Sequence, residues 1–193
     1  MTRQRLAIPF LVLTLTLVSG ILLRAGGPAE PATPGSKAAA IERGKYLVNF
    51  GSCNDCHTPW KLGPKGPEPD MTRALTGHPA EMKVSPSPTL EGSWGIAAAN
   101  TMTAWTGPWG VSFTANLTPD KETGLGDWTE DMFIATMRTG RHQGKGRAIL
   151  PPMPYFSVAA LSDEDMKAVF AYLQSLPPVH NRVPAPIDPP EGQ

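Results

Sequence analysis

Residues 51–58 read Gly51-Ser52-Cys53-Asn54-Asp55-Cys56-His57-Thr58 and hold both cysteines of the 193-residue chain. Cys-x-x-Cys-His is the pattern of a c-type haem attachment site. Two thiols three positions apart fall on one side of a helical turn, where both reach the vinyl-derived carbons of one porphyrin edge. The next residue then aims its imidazole at the iron. The same Cys pair serves in thioredoxin-like redox motifs, but those sit beside a βαβ pattern, and none surrounds these residues. It also serves as half of a zinc site, but the other ligands would have to come from His78, His142 and His180, which show no second paired spacing. His57, directly after Cys56, favours haem.

Working outward from the motif, the N-terminal side is read first. Arg3 and Arg5 precede an apolar run from Leu6 to Leu23, the order of a secretory signal. Its 18 residues also lie near the roughly 20 that a spanning helix needs. We expect residues 1–27 to be a signal peptide or N-terminal membrane anchor, and the chain to be periplasmic, soluble or tethered. Residues 28–36 are Pro-rich and read as a linker. Ser36 can cap a helix running to about Phe50, with Gly51 as its stop. Ile41, Gly44, Leu47 and Val48 share one face at helical spacing. Gly44 in mid-helix costs about 1 kcal/mol against Ala, which close approach of another helix would justify.

Hydrophobic residues make up 40 % of the chain, enough for a packed core, while 22 Pro and 19 Gly require much irregular backbone. The formal charge is zero, which excludes a generic nucleic-acid binder. Residues 1–27 carry Arg3, Arg5 and Arg24 and no acid, so the rest holds 14 basic against 17 acidic residues, a net −3.

On the C-terminal side, residues 58–126 are broken repeatedly by proline. Only Asp70 to Leu75 suggests a helical turn, ended by Gly77. This stretch reads as a long loop wrapped over the haem, with tryptophans from among Trp60, Trp94, Trp105 and Trp109 either on the macrocycle edge or in ordinary core positions. Thr129 caps a helix to about Thr139, stapled by Trp128 and Phe133 and ended by Gly140. Ser162 caps the last helix, with Leu161 and Met166 as its staple, Asp163, Glu164 and Asp165 at its positive end, and Met166, Val169, Phe170 and Leu173 as its apolar face. Pro177-Pro178 stops it. The tail 179–193 is Pro-rich and expected to run extended along the surface.

A haem iron held by His57 still needs a sixth ligand. Met132, Met137 and Met166 fall in expected helices, where core packing is the usual role. Met153 lies in Leu150-Pro151-Pro152-Met153-Pro154-Tyr155 between the last two helices. Its flanking prolines fix φ and remove backbone donors, so the strap presents a weak thioether ligand at little entropic cost. Met102, Met71 and Met82 are rivals in the long loop, and His78, His142 or His180 would give a bis-His site. His/Met ligation makes an electron-transfer centre of raised potential.

The helix containing Arg43-Gly44-Lys45-Tyr46-Leu47, the Cys-Asn-Asp-Cys-His motif, the Met strap and a terminal helix containing Ala171-Tyr172-Leu173 together resemble the class I c-type cytochromes. More narrowly, Asn116-Leu117-Thr118-Pro119-Asp120, Thr123-Gly124-Leu125-Gly126-Asp127-Trp128-Thr129 and Pro152-Met153-Pro154-Tyr155 are similar to the cytochrome modules of membrane-associated alcohol and aldehyde dehydrogenases. The resemblance covers residues 37–178. It implies an all-α fold with crossed N- and C-terminal helices around one covalent haem c, and a long Pro/Gly-rich loop. It also implies thioether bonds at Cys53 and Cys56, with His57 and Met153 as proximal and distal iron ligands. Those modules carry several Cys-x-x-Cys-His motifs, whereas this chain has one.

The expected function is therefore that of a one-electron carrier, not an enzyme. Its partners would be redox proteins (a dehydrogenase, an oxidase or another cytochrome), with no nucleic acid and no small-molecule substrate. The alternatives are a haem-binding subunit of an oxidoreductase complex, or a redox or gas sensor with a labile Met ligand.

Overall fold

A computed structural model describes residue 33, residues 35–84 and residues 88–189. The expected signal or anchor, residues 1–27, and most of the linker lie outside the described residues. No described helix is long and apolar enough to cross a membrane.

Helix α1 (Lys37–Phe50) begins at Ser36, whose Oγ accepts from Ala39 N at 3.1 Å, and ends at Gly51. Its C-terminus runs into a single-turn helix α2 (Cys53–His57) through Ser52, held in the left-handed region at φ 54°. Later in the chain come α3 (Glu130–Thr139), capped by Thr129, the short α4 (Tyr155–Ala159), and α5 (Asp163–Ser175), capped by Ser162. Each side-chain cap satisfies one of the amides that a helix N-terminus leaves without an internal partner. The three acids in the first turn of α5 lie at its positive end. Helix α4 has no counterpart among the helices expected from sequence.

Helices α1 and α5 pack together. Gly44 and Val48 of α1 and Met166, Val169, Phe170 and Leu173 of α5 are buried, as their spacing predicts. Phe133 and Met137 of α3 complete this core with Leu75 and Leu125. Removing such side chains from water is the main favourable term in folding. Arg43 of α1 holds Asp165 of α5 through Nε and Nη2, at 2.8 and 3.0 Å. Of the helical methionines assigned to core packing, Met137 and Met166 are buried, but Met132 is 37 % exposed on the outer face of α3.

The structure corrects the all-α expectation in residues 58–126. Strands β1 (Trp60–Gly63) and β2 (Gly66–Pro69) form an antiparallel hairpin, and β3 (Ala97–Ala98), β4 (Ala104–Gly107) and β5 (Gly110–Phe113) form a three-stranded antiparallel sheet. The Asp70 turn is present as a 3-10 helix, Met71–Arg73. Strands of two to four residues, two of the pairs closed by two-residue turns, leave little alternation of apolar and polar positions to read.

The tail after Pro178 is extended but tied down. Asn181, 5 % exposed, donates through Nδ2 to Thr76 O at 2.7 Å and His78 O at 2.9 Å, and accepts from Ala80 N at 2.9 Å. Val111 and Ile187 exchange backbone hydrogen bonds of 2.8 and 2.9 Å, which fastens the tail to β5.

Candidate haem centre

Helix α2 is too short to be stable alone, and neighbouring loops hold it. Thr58 Oγ1 donates to Asn54 Oδ1 at 2.7 Å and accepts from Leu75 N at 2.9 Å. Trp60 Nε1 donates to Asp55 O at 3.0 Å, and Gly77 N donates to His57 O at 2.8 Å. Gly77 stands at φ +76°, and a Cβ there would lie 2.5 Å from Thr114 O, so only glycine brings this amide to His57 without strain.

The His57 side chain is buried, 8 % exposed, and its Nδ1 lies 2.8 Å from Ala115 O. A carbonyl only accepts, so Nδ1 carries the proton and Nε2 keeps its lone pair. Burial pushes the His57 pKa down and so favours a neutral ring, with the Ala115 hydrogen bond opposing in part. A neutral imidazole with one nitrogen bonded to the backbone is the usual state of a metal-ligating histidine. Ala115 O sits just before Asn116, in a loop made rigid by its own side chains. Asn116 Oδ1 accepts from Thr118 N and Oγ1 at 3.0 and 2.8 Å, and Asp120 Oδ1 accepts from Thr123 N and Oγ1 at 2.8 and 2.5 Å. Sequence reasoning misses the role of Ala115. Its only signal is the adjacent run of residues that hydrogen-bond their own backbone.

Cys53 and Cys56 are half-buried free thiols. Burial is the main cause that pushes both thiol pKa values up. With His57 they line a cavity of about 520 Å³, bounded also by Val48, Leu117, Trp128, Phe133 and Leu173. Its lining also includes the strap Leu150 to Pro154 and, from the sheet, Trp105 and Ser112. Volume and apolar lining suit a large flat cofactor, and two free thiols beside a buried neutral imidazole are the donors a covalent haem requires. The residues present fit that group.

Of the candidate sixth ligands, Met153 lines this cavity, as do Met137 and His142. Met71, Met82, Met102, His78 and His180 are not among its lining residues. His78 is engaged by Thr103 and Met82, and His180 lies on the surface near Asp120 and Glu122. Among the tryptophans of the long loop, Trp105 lines the cavity, while Trp94 is 77 % exposed.

A cavity lined by both Cys-x-x-Cys-His and a methionine strap points to the class of c-type haem proteins. The cytochrome c family pattern matches residues 41–177, and the chain belongs to the cytochrome c family. It is 34 % identical over 134 residues to the gluconate 2-dehydrogenase cytochrome c subunit of Pantoea cypripedii, covering 69 % of this chain and 22 % of that protein. The fructose dehydrogenase cytochrome subunit of Gluconobacter japonicus is 28 % identical over 162 residues, covering 84 % and 26 % respectively. One of the nicotinate dehydrogenase subunits of Pseudomonas putida is 33 % identical over 159 residues, covering 82 % and 10 %. The chain thus spans about a tenth to a quarter of the length of these relatives. Family membership makes it an electron-transfer protein and implies a covalent c-type haem.

Proposed function

We propose that the chain is a periplasmic one-electron carrier with a single haem, joined through Cys53 and Cys56 and ligated by His57 Nε2 and Met153. The observation that carries this reading is the single cavity shared by Cys53, Cys56, His57 and Met153. One Cys-x-x-Cys-His motif in the chain corresponds to one haem. Met153 is preferred to Met137 because Met137 belongs to the buried core cluster and is fixed by the α3 backbone, whereas Met153 is half-buried on a proline strap. A haem held there by His57 and Met153 would supply one-electron redox chemistry and leave no position for substrate.

The relatives named above include cytochrome subunits of dehydrogenases, which supports a dehydrogenase as electron donor. Residues 1–27 would direct export or tether the domain 37–178. A second reading, bis-His ligation, is favoured only by the presence of His142 at the cavity wall. Its ring stands edge-on to Trp128, with centroids 5.1 Å apart.

Met153→Ala tests the assignment. The weak red-edge absorption of a sulfur–ferric iron bond should vanish and the potential should fall. Persistence of the band in this variant and its loss in Met137→Ala would transfer the role to Met137. Absence of the band from the wild type, with a changed spectrum in His142→Ala, would establish the bis-His site.

A further inference from the structure

The strap that carries Met153 has an unusual backbone. Pro151, Pro152 and Pro154 have no N–H, so most of the strap can only accept hydrogen bonds. Among the described residues, Tyr155 N donates to Met153 O at 2.9 Å, a contact local to the strap. Among the described residues, the strap's hydrogen bond to a distant element comes from Ser112, whose Oγ donates to Pro151 O at 2.6 Å, while Met153 also packs against the core cluster.

Ser112 is well placed to hold that carbonyl. It lies on β5, paired in register with Trp105 of β4, and its neighbour Val111 is bonded to Ile187 of the tail. The side chain is buried, 8 % exposed. Trp109 Nε1 donates to Ser112 Oγ at 3.3 Å, which occupies a lone pair; of the two carbonyls within reach of the hydroxyl proton, Pro151 O at 2.6 Å is much nearer than Trp105 O at 3.5 Å. Both Ser112 and Pro151 line the haem cavity. The bond therefore crosses the cavity wall two residues before Met153.

We infer that Ser112 is a positioning residue for the sixth ligand: by bracing the Pro151 carbonyl, it keeps the strap closed and Met153 seated against competing ligands. The inserted sheet, foreign to an all-helical fold, then has a function at the haem. This inference rests on Met153 being the ligand, and its test separates the two.

The test is cyanide binding to the ferric holoprotein, with the red-edge sulfur band recorded in parallel. Cyanide must displace the thioether, so its affinity reads how firmly the strap is held. Ser112→Ala should raise cyanide affinity about two- to tenfold, the factor that corresponds to loss of one hydrogen bond of ordinary net strength. Ser112→Thr, which keeps the hydroxyl, should bind cyanide like the wild type. If Ser112→Ala gives no holoprotein, the isosteric pair Ser112→Thr and Ser112→Val makes the same comparison, with the valine variant the tighter cyanide binder. Equal affinity in hydroxyl-bearing and hydroxyl-lacking variants would overturn the brace. A sulfur band surviving in Met153→Ala would instead overturn the ligand assignment beneath it.

Discussion

Gly44 and Ala168 approach so closely that a Cβ added to Gly44 would overlap the Ala168 carbonyl oxygen and lie 2.8 Å from Tyr172 Cβ. The absent side chain is what lets α1 and α5 meet backbone to backbone, which accounts for a glycine tolerated in mid-helix. Gly44→Val must push the helices apart. Overpacking of this kind costs about 1–3 kcal/mol, occasionally more, and the close contact here is with rigid backbone. The holoprotein should melt well below the wild type, by several degrees per kcal/mol for a domain of this size. Melting at the wild-type temperature with haem in place would contradict the packing described.

Covalent attachment is expected from the two free thiols at the cavity wall. Acid–acetone extraction should leave the colour with the protein. Cys53→Ala should retain a single thioether and lose holoprotein yield. Haem passing into the organic layer from the wild type would refute attachment.

Helix boundaries were legible because their determinants are local. Ser36, Thr129 and Ser162 each cap through an amide three residues on. The apolar face of α5 follows from spacing alone. The two sheets were not legible, since their pairing depends on turns such as the one before Gly66, at φ +120°, and on strands only a few residues long. Nor was the orientation of His57. Its partner is a backbone carbonyl 58 residues away, and a carbonyl has no side-chain signature. The motif named the candidate haem-binding residues, while the atoms that hold them came from the fold.

The tail illustrates a longer-range dependence. Asn181 bonds the carbonyls of Thr76 and His78, which flank the glycine whose amide holds His57 O. Asn181→Ala leaves two buried carbonyls and the Ala80 amide without these partners, at about 1–3 kcal/mol for each group left unsatisfied. Thermal melting should show a loss of that order, and the ferric spectrum should report a looser iron site. A wild-type melting temperature would mean that the tail is bound but unimportant.

The basic run between α3 and the strap divides by role. Arg138 is committed to Asp163 at 2.7 Å and to the carbonyls of Ala159 and Leu161, so it serves to hold α3 to the start of α5. Arg141, Lys145 and Arg147 are exposed on a turn pinned by the Arg141–Ala148 bridge, and Arg147 lines the haem cavity. These three form a positive field in an otherwise acidic domain, suited to an acidic redox partner. With ferricyanide as an anionic oxidant, the double variant Arg141→Glu, Lys145→Glu should oxidise more slowly than the wild type at low salt. The two should converge as the Debye length falls from about 10 Å at 0.1 M to about 3 Å at 1 M. Equal rates at every ionic strength would reduce these cations to a solvated turn.

His57 and Met153 line one cavity, where together they would hold a haem iron with no open coordination site. The most direct measurement is the absorption spectrum of the ferrous protein at neutral pH before and after carbon monoxide is added. With His57 and Met153 both in place the spectrum should not change, whereas Met153→Ala should shift at once. A wild-type protein that binds carbon monoxide readily would contradict the closed site and point to a sensor or a catalytic haem instead.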